Sequence, residues 1–400
     1  MQKKRKNNLF LFNLVLALSL AGFSAGLGQS RQTGEECPPI SKINGESITP
    51  RQVEEYIRGL MVKHPRTYAL SLAVVNGGKI AWSKTFGIKN RETGAVANED
   101  TVFRAASLSK PVFAYLVLKL VEEGVLDLDK PLYQYLNKPL YEYTEYADLK
   151  GDTRFKAITA RLVLSHQTGF PNWRRHNKDM KLNFLFSPGD NFSYSGEGYQ
   201  YLQFLIEKIT GKDLNRLSKE KVFLPLGMKH SCFRWEDRFD KDISIELEGL
   251  PAFLIEKARK RVSGAGSMIT NAHDYALFLT ALLNTRGLGQ HWIAEMLKPQ
   301  VFIRTAELFG PGSRQQSDQY KKIGLSWCQG WGKFETRYGD AFFHVGYEPG
   351  CENYVVMFPA KKIALVFFST QKMSAASIAA EIARHIIGDT YSPFSWMGYH

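Results

Sequence analysis

The chain has 400 residues, 44% hydrophobic and 23% charged, enough for a large core in one large or two modest domains. This balance excludes a disordered chain, a collagen and a polytopic membrane protein. The net charge is +13, or +9 once Lys3, Lys4, Arg5 and Lys6 are set aside as part of a targeting segment. The excess lies in short scattered runs, so weak attraction to acidic surfaces or substrates is expected, and no nucleic-acid partner.

In chain order, the first feature is a basic stretch followed by an apolar run from Leu9 to about Phe23 and the small residues Ser24, Ala25, Gly26 and Gly28. This is the pattern of a signal peptide over residues 1–28. Asn13, Ser19 and Gly22 interrupt the run, which favours export over a permanent span. The expected location is periplasmic or secreted, with membrane contact only through this segment if it stays uncleaved. A single folded unit over residues 29–400 is expected to follow.

From Thr67 to Ile88 a β-rich stretch is split by Asn76-Gly77-Gly78, a hairpin signal. Helical periodicity follows at Val112 to Glu123, Tyr199 to Ile209 and Ala272 to Leu283, with Gly124 and Gly211 as plausible helix ends. Strand signals return at Gly324 to Lys333, Ala341 to Val345, Asn353 to Phe358 and Ile363 to Ser369, and a last helix spans about Ala375 to Ile387. The expected fold is α/β of the α+β type. One antiparallel sheet draws on both chain ends (about residues 50–103 and 300–390), is flanked by helices, and carries a mostly helical inserted subdomain over about 104–290. A site is expected at the seam between the two. Cys37, Cys232, Cys328 and Cys351 form no Cys-x-x-Cys pair. An oxidising compartment would permit a disulfide, and Cys328–Cys351, both beside expected strands, is the favoured pairing; buried free thiols are the alternative.

Zinc-protease, Walker and dinucleotide signatures are absent, and no metal or cofactor is expected. The one Gly-x-Ser-x-Gly, Gly22 to Gly26, lies in the leader and is accidental. Ser-x-x-Lys occurs as Ser107/Lys110, Ser218/Lys221 and Ser369/Lys372. The second sits in a charged stretch that reads as a solvated helix face, the third at the end of a strand. The first opens a helix that is apolar on every side, hence buried, with Pro111 tolerated in its first turn. Three residues along a helix return to the same face, so the Ser107 hydroxyl and Lys110 amine can meet. A desolvated lysine loses its charge more readily and can serve as a base, and the helix N-terminus suits a developing oxyanion. On this motif alone, a capping serine beside a snorkelling lysine is equally open.

Ser107-x-x-Lys110 is followed, in order, by Leu164-Ser165-His166-Gln167-Thr168-Gly169, Ser187-Pro188-Gly189, Tyr194-Ser195-Gly196, Pro225-Leu226-Gly227-Met228, Gly264-Ala265-Gly266-Ser267-Met268 and His344-Val345-Gly346. Together, over about residues 50–390, these resemble the serine β-lactamase and penicillin-recognising superfamily, in its class C β-lactamase, DD-peptidase and esterase branch. The resemblance implies a β-lactamase/transpeptidase-like fold and an acyl-enzyme mechanism. Ser107 would be the nucleophile, Lys110 its proton partner, and Tyr194 a second acid/base group whose pKa the lysine cation lowers. His344 and Gly346 would form the strand edge beneath the substrate, and the N–H groups of Ser107 and Tyr347 the oxyanion hole. Gly346 would leave room for a closely approaching substrate. His166 is read as a structural residue in a buried turn.

Two positions depart from the branch's β-lactamases: Gly196 stands where an asparagine is usual and His344 where a lysine is usual. Both argue against efficient β-lactam destruction. The expected activity is cleavage of a small-molecule or peptide ester or amide. The alternatives are a β-lactamase or DD-peptidase, and a non-catalytic binding protein on the same scaffold.

Overall fold

The computed structural model describes residues 38–244, 256, 259–372 and 375–399. The expected leader over residues 1–28 and Cys37 lie outside the described residues. Gly77 and Gly78, both with positive φ (59° and 76°), make the two-residue turn between β1 (Thr67–Asn76) and β2 (Lys79–Asn90), as the Asn-Gly-Gly signal requires. The C-terminal part supplies β3 (Gly332–Thr336), β4 (Gly339–Glu348), β5 (Cys351–Phe358) and β6 (Ile363–Gln371). With three two-residue edge strands they form a nine-stranded sheet in which β6 pairs with β1, so both ends of the chain close it; every pairing is antiparallel. The expected strand over 324–333 is two pieces, Ser326–Trp327 and β3, folded back at a turn closed by Cys328 N–H donating to the Trp331 carbonyl.

The central strands read as unbroken apolar runs because both faces are covered. On β1, Ala69, Ala73 and Val75 join the core of the helical side, while Leu70, Leu72 and Val74 join a second core on the opposite face. That second face is covered by α1 (Pro50–Lys63) through Val53, Ile57 and Leu60, and by the C-terminal helix Ala379–Ile387. The sequence reading missed α1, although Thr49 and Gln52 form a full capping box with Pro50 in the first turn.

The first face packs against α2 (Ser109–Glu122), which is buried along nearly its whole length, and against α4 (Ala272–Leu283). Between these lies α3 (Gly196–Thr210), closed by Gly211 in the left-handed conformation. The stretch between α2 and α3 is more irregular than a helical subdomain suggests, being built largely of short 3₁₀ turns. Its tyrosines serve packing: Tyr133 and Tyr141 meet Phe155, and Tyr143 and Tyr146 meet Phe204.

The favoured disulfide does not form. Cys232, Cys328 and Cys351 are buried free thiols, and the Cys328 thiol donates to the Leu297 carbonyl at 3.2 Å. Register explains this. Cys328 lies beside the Gly332–Phe343 row, whereas Cys351 faces Glu348 at the far end of β4, roughly 16 Å away along the strand and well beyond disulfide reach.

Candidate active site

The seam between the sheet and the helical side carries the site. Ahead of α2 the chain makes a 3₁₀ turn, Ala106–Leu108, and Ala106 takes φ 47°, a left-handed conformation unusual for a non-glycine residue. Such strain persists only where the surroundings hold it. Here the Ser109 hydroxyl donates to the Ala106 carbonyl (2.6 Å) and accepts from Met268 N–H (3.0 Å), while Ala105 N–H donates to the Met268 carbonyl. Ser107, at the tip of this turn, is partly exposed.

Lys110 is fully buried. Its amine lies 3.1 Å from the Ser107 hydroxyl and donates to the Ala265 carbonyl at 2.6 Å. Burial, reinforced by the charge of Arg261, pushes its pKa well below the usual lysine value. The carbonyl belongs to the Gly264–Met268 segment, noted in the sequence as a landmark without a role; the fold makes it the anchor of the amine.

Tyr194 reaches the same point from the N-terminus of α3. Lys110 Nζ lies 4.7 Å from its ring centre. His166 fixes the segment: at φ 59° its Nδ1 accepts the Ser195 N–H (3.0 Å), its carbonyl accepts the Ser193 N–H, and its ring packs 4.2 Å from the Tyr194 ring. With Nδ1 accepting, the His166 proton sits on Nε2. The expected lowering of the Tyr194 pKa by Lys110 is corrected by the structure. Burial raises it, opposed only by the interaction of the phenol with the Ser107 hydroxyl.

His344 lies on β4, wholly buried, its ring 6.1 Å from Tyr194 and 5.5 Å from Trp327. Its Nδ1 is 2.8 Å from the Val345 carbonyl, which can only accept, so Nδ1 carries the proton and the unpartnered Nε2 presents a lone pair. Burial and Lys110 push its pKa down to about 3. It is neutral at physiological pH and offers an acceptor, not a cation.

β3 pairs with β4 only between Thr336↔Gly339 and Gly332↔Phe343. Beyond Phe343, β4 has no β3 partner, and at Gly346 it lies against Ala105 and Leu108 beside Ser107, with the Tyr347 side chain exposed. Gly346 has a different reason from the one expected. A Cβ there would lie 2.6 Å from the Ala105 carbonyl oxygen and 3.0 Å from Leu108 Cδ1. What the glycine admits is the protein's own turn that bears Ser107.

Gly196 is likewise filled from within: a Cβ there would lie 2.5–2.8 Å from three ring carbons of Trp173. Trp173 and Tyr194 both line a cavity of about 490 Å³, with Phe309 and Arg314 on its wall. Trp173 was invisible to motif reading, because it lies in a loop with no recognisable pattern. Among the described residues, no cluster of three or more His, Cys, Asp or Glu is arranged to hold a metal, and no helix is long and apolar enough to cross a membrane.

The beta-lactamase family model matches residues 53–387. The chain belongs to the beta-lactamase family. Esterase EstB of Burkholderia gladioli is 30% identical over 186 residues, 40% of this chain and 45% of its own. A putative D-alanyl-D-alanine carboxypeptidase of Escherichia coli K12 is 24% identical over 368 residues, 78% of this chain and 79% of its own. A class C beta-lactamase structure superposes with a TM-score of 0.64 at 16% identity, covering 85% of this chain and 96% of its own, a likeness of fold. These relatives are serine hydrolases. The chain spans about half the length of several curated relatives that it matches, EstB among them.

The buried neutral histidines carry a cost that pH exposes. His344 keeps a folded pKa near 3 while its unfolded value is about 6.5. Below about pH 6.5 the unfolded chain therefore binds a proton that the folded one refuses, and stability falls until pH approaches 3. The loss is up to roughly 1.4 kcal/mol per pH unit. His344→Asn is expected to flatten this part of the curve, read as denaturant midpoints at pH 7, 5 and 4. An unchanged slope would show that His344 is charged in the fold.

Proposed function

We propose that this chain is an exported serine hydrolase that cleaves an ester or amide through an acyl-Ser107 intermediate, within a folded unit beginning after a leader of about 28 residues. The observation that carries the reading is the 3.1 Å contact between the Ser107 hydroxyl and a fully buried amine that burial inclines to neutrality. A neutral Lys110 takes the hydroxyl proton as Oγ attacks the carbonyl carbon, and the carbonyl oxygen becomes an oxyanion that the N–H groups of Ser107 and Tyr347 receive. As the intermediate collapses, Tyr194 gives its proton to the leaving group and is reprotonated by Lys110. Its raised pKa suits it to begin as an acid. Water then enters, loses a proton along the same route in reverse, and releases the acid from Ser107.

Two features favour simple esters or peptides over β-lactams. A neutral His344 offers no cation to a β-lactam carboxylate, and the Trp173 ring occupies the space beside Gly196. The carboxypeptidase likeness, spanning 78% of this chain, supports D-amino-acid peptides as the second reading. The test is mass spectrometry after exposure to a fluorophosphonate and to a penicillin. A fluorophosphonate adduct on the Ser107 peptide, absent in Ser107→Ala, is expected, with slow or no penicilloylation. Labelling that survives the substitution would remove the mechanism.

A further inference from the structure

Around Trp173, which shares a cavity wall with Tyr194, lies positive charge that the chemistry above does not use. Arg175 and Arg261 lie over the Trp173 ring, at 4.8 and 5.5 Å from its centre, and that ring packs on Gly196, two residues beyond Tyr194. Arg261 is half-buried, and among the described residues neither guanidinium forms a salt bridge. Among the described residues, two carboxylates of the neighbourhood are committed elsewhere: Glu197 to Arg174, and Glu348 to Arg104. Arg261 feels repulsion from Arg175 and Arg104, and its own charge reaches Lys110. A third arginine, Arg314, lines the cavity that Trp173 and Tyr194 share.

Like charges gathered around a half-buried site without a counter-ion are unfavourable unless something anionic completes them. Guanidinium groups bind carboxylates through paired hydrogen bonds, and an indole face holds them in place by cation–π attraction. We propose that the cleft selects a carboxylate-bearing ester or amide, its anion held by Arg261 and Arg175 beside the Trp173 ring. This rests on the serine-hydrolase reading and narrows its substrate class. The surplus of basic residues over the whole chain would assist the encounter.

The test compares matched chromogenic or fluorogenic esters with and without a carboxylate. One pair carries it on the acyl side (p-nitrophenyl hemiglutarate against p-nitrophenyl pentanoate), the other on the leaving side (4-carboxyphenyl against 4-carbamoylphenyl butyrate). The readout is the anionic-to-neutral ratio of kcat/KM, in which intrinsic reactivity and any change at Lys110 cancel. Arg261→Gln is expected to lower this ratio at least about tenfold for one pair, as loss of a charge-assisted hydrogen bond implies. Arg175→Gln, at an exposed position where folding is not at stake, is expected to lower it in the same direction. Ratios unchanged in both variants for both pairs would overturn the proposal. Hydrolysis of the neutral esters that depends on Ser107, together with fluorophosphonate labelling, tests the underlying mechanism separately.

Discussion

Replacing Lys110 with alanine is expected to lower ester turnover at least about a hundredfold, the low end for loss of a positioned base. The buried amine touches the Ser107 hydroxyl at 3.1 Å and is tethered by the Ala265 carbonyl at 2.6 Å, so water entering the vacated space would lack its basicity and its placement. The pH profile gives a second readout. With the lysine pKa held well below its ordinary value, the wild-type rate falls on the acid side as the amine protonates, and the Ala variant loses that limb. Arg261→Gln removes one cause of the depression, so its acid limb is expected at higher pH. Stability separates lost chemistry from lost fold. Burial holds the folded-state pKa of Lys110 below its unfolded value, so the lysine costs stability at pH values below 10.5, and less so as pH rises toward 10.5. Lys110→Ala should therefore melt no lower than wild type at pH 7, despite the lost side-chain volume. Near-normal turnover would refute the assignment.

How much of this was legible beforehand follows the range of the interactions. The β1–β2 hairpin is written in Asn76-Gly77-Gly78 and the burial of α2 in its all-round apolarity, both local signals. That β6 lies against β1, closing the sheet from both chain ends, follows from the placing of strand-forming runs early and late in the chain. Within the site, the Ser107–Lys110 contact is a matter of helical spacing. Tyr194 and His344 are brought to it by tertiary structure, and only the order of motifs pointed to them. No spacing rule could have given the Ala265 carbonyl as the tether of the amine, or Trp173 as the ring that fills the space at Gly196, because each depends on how two distant loops meet. The expectation for the Tyr194 pKa failed for a related reason: it set a cation against a phenol, without the desolvation that lowers the pKa of the one and raises that of the other.

Gly346→Ala tests whether the strand edge and the nucleophile turn are one device. A single methyl there would meet the Ala105 carbonyl oxygen at 2.6 Å and Leu108 at 3.0 Å, and the first of these is backbone that no rotamer change can clear. Either β4 withdraws or the turn at Ala105–Ala106 gives. The turn is already strained at Ala106, and Asn353 on β5 ties the preceding Arg104 carbonyl to the sheet at 2.9 Å, so little slack is available on that side. Withdrawal of β4 would carry the Tyr347 N–H away from the Ser107 N–H, which the proposed mechanism requires to meet on a single oxygen. Loss of one oxyanion donor costs about a hundred- to a thousandfold in kcat, and that is the expected effect on ester turnover. KM should change far less, since the donors meet the oxygen chiefly once it bears charge. Fluorophosphonate labelling should slow in parallel, because that reagent also places a developing anionic oxygen between the two N–H groups. A variant that keeps wild-type kcat would show that the β4 edge and the Ser107 turn move independently, and that the oxyanion is received elsewhere.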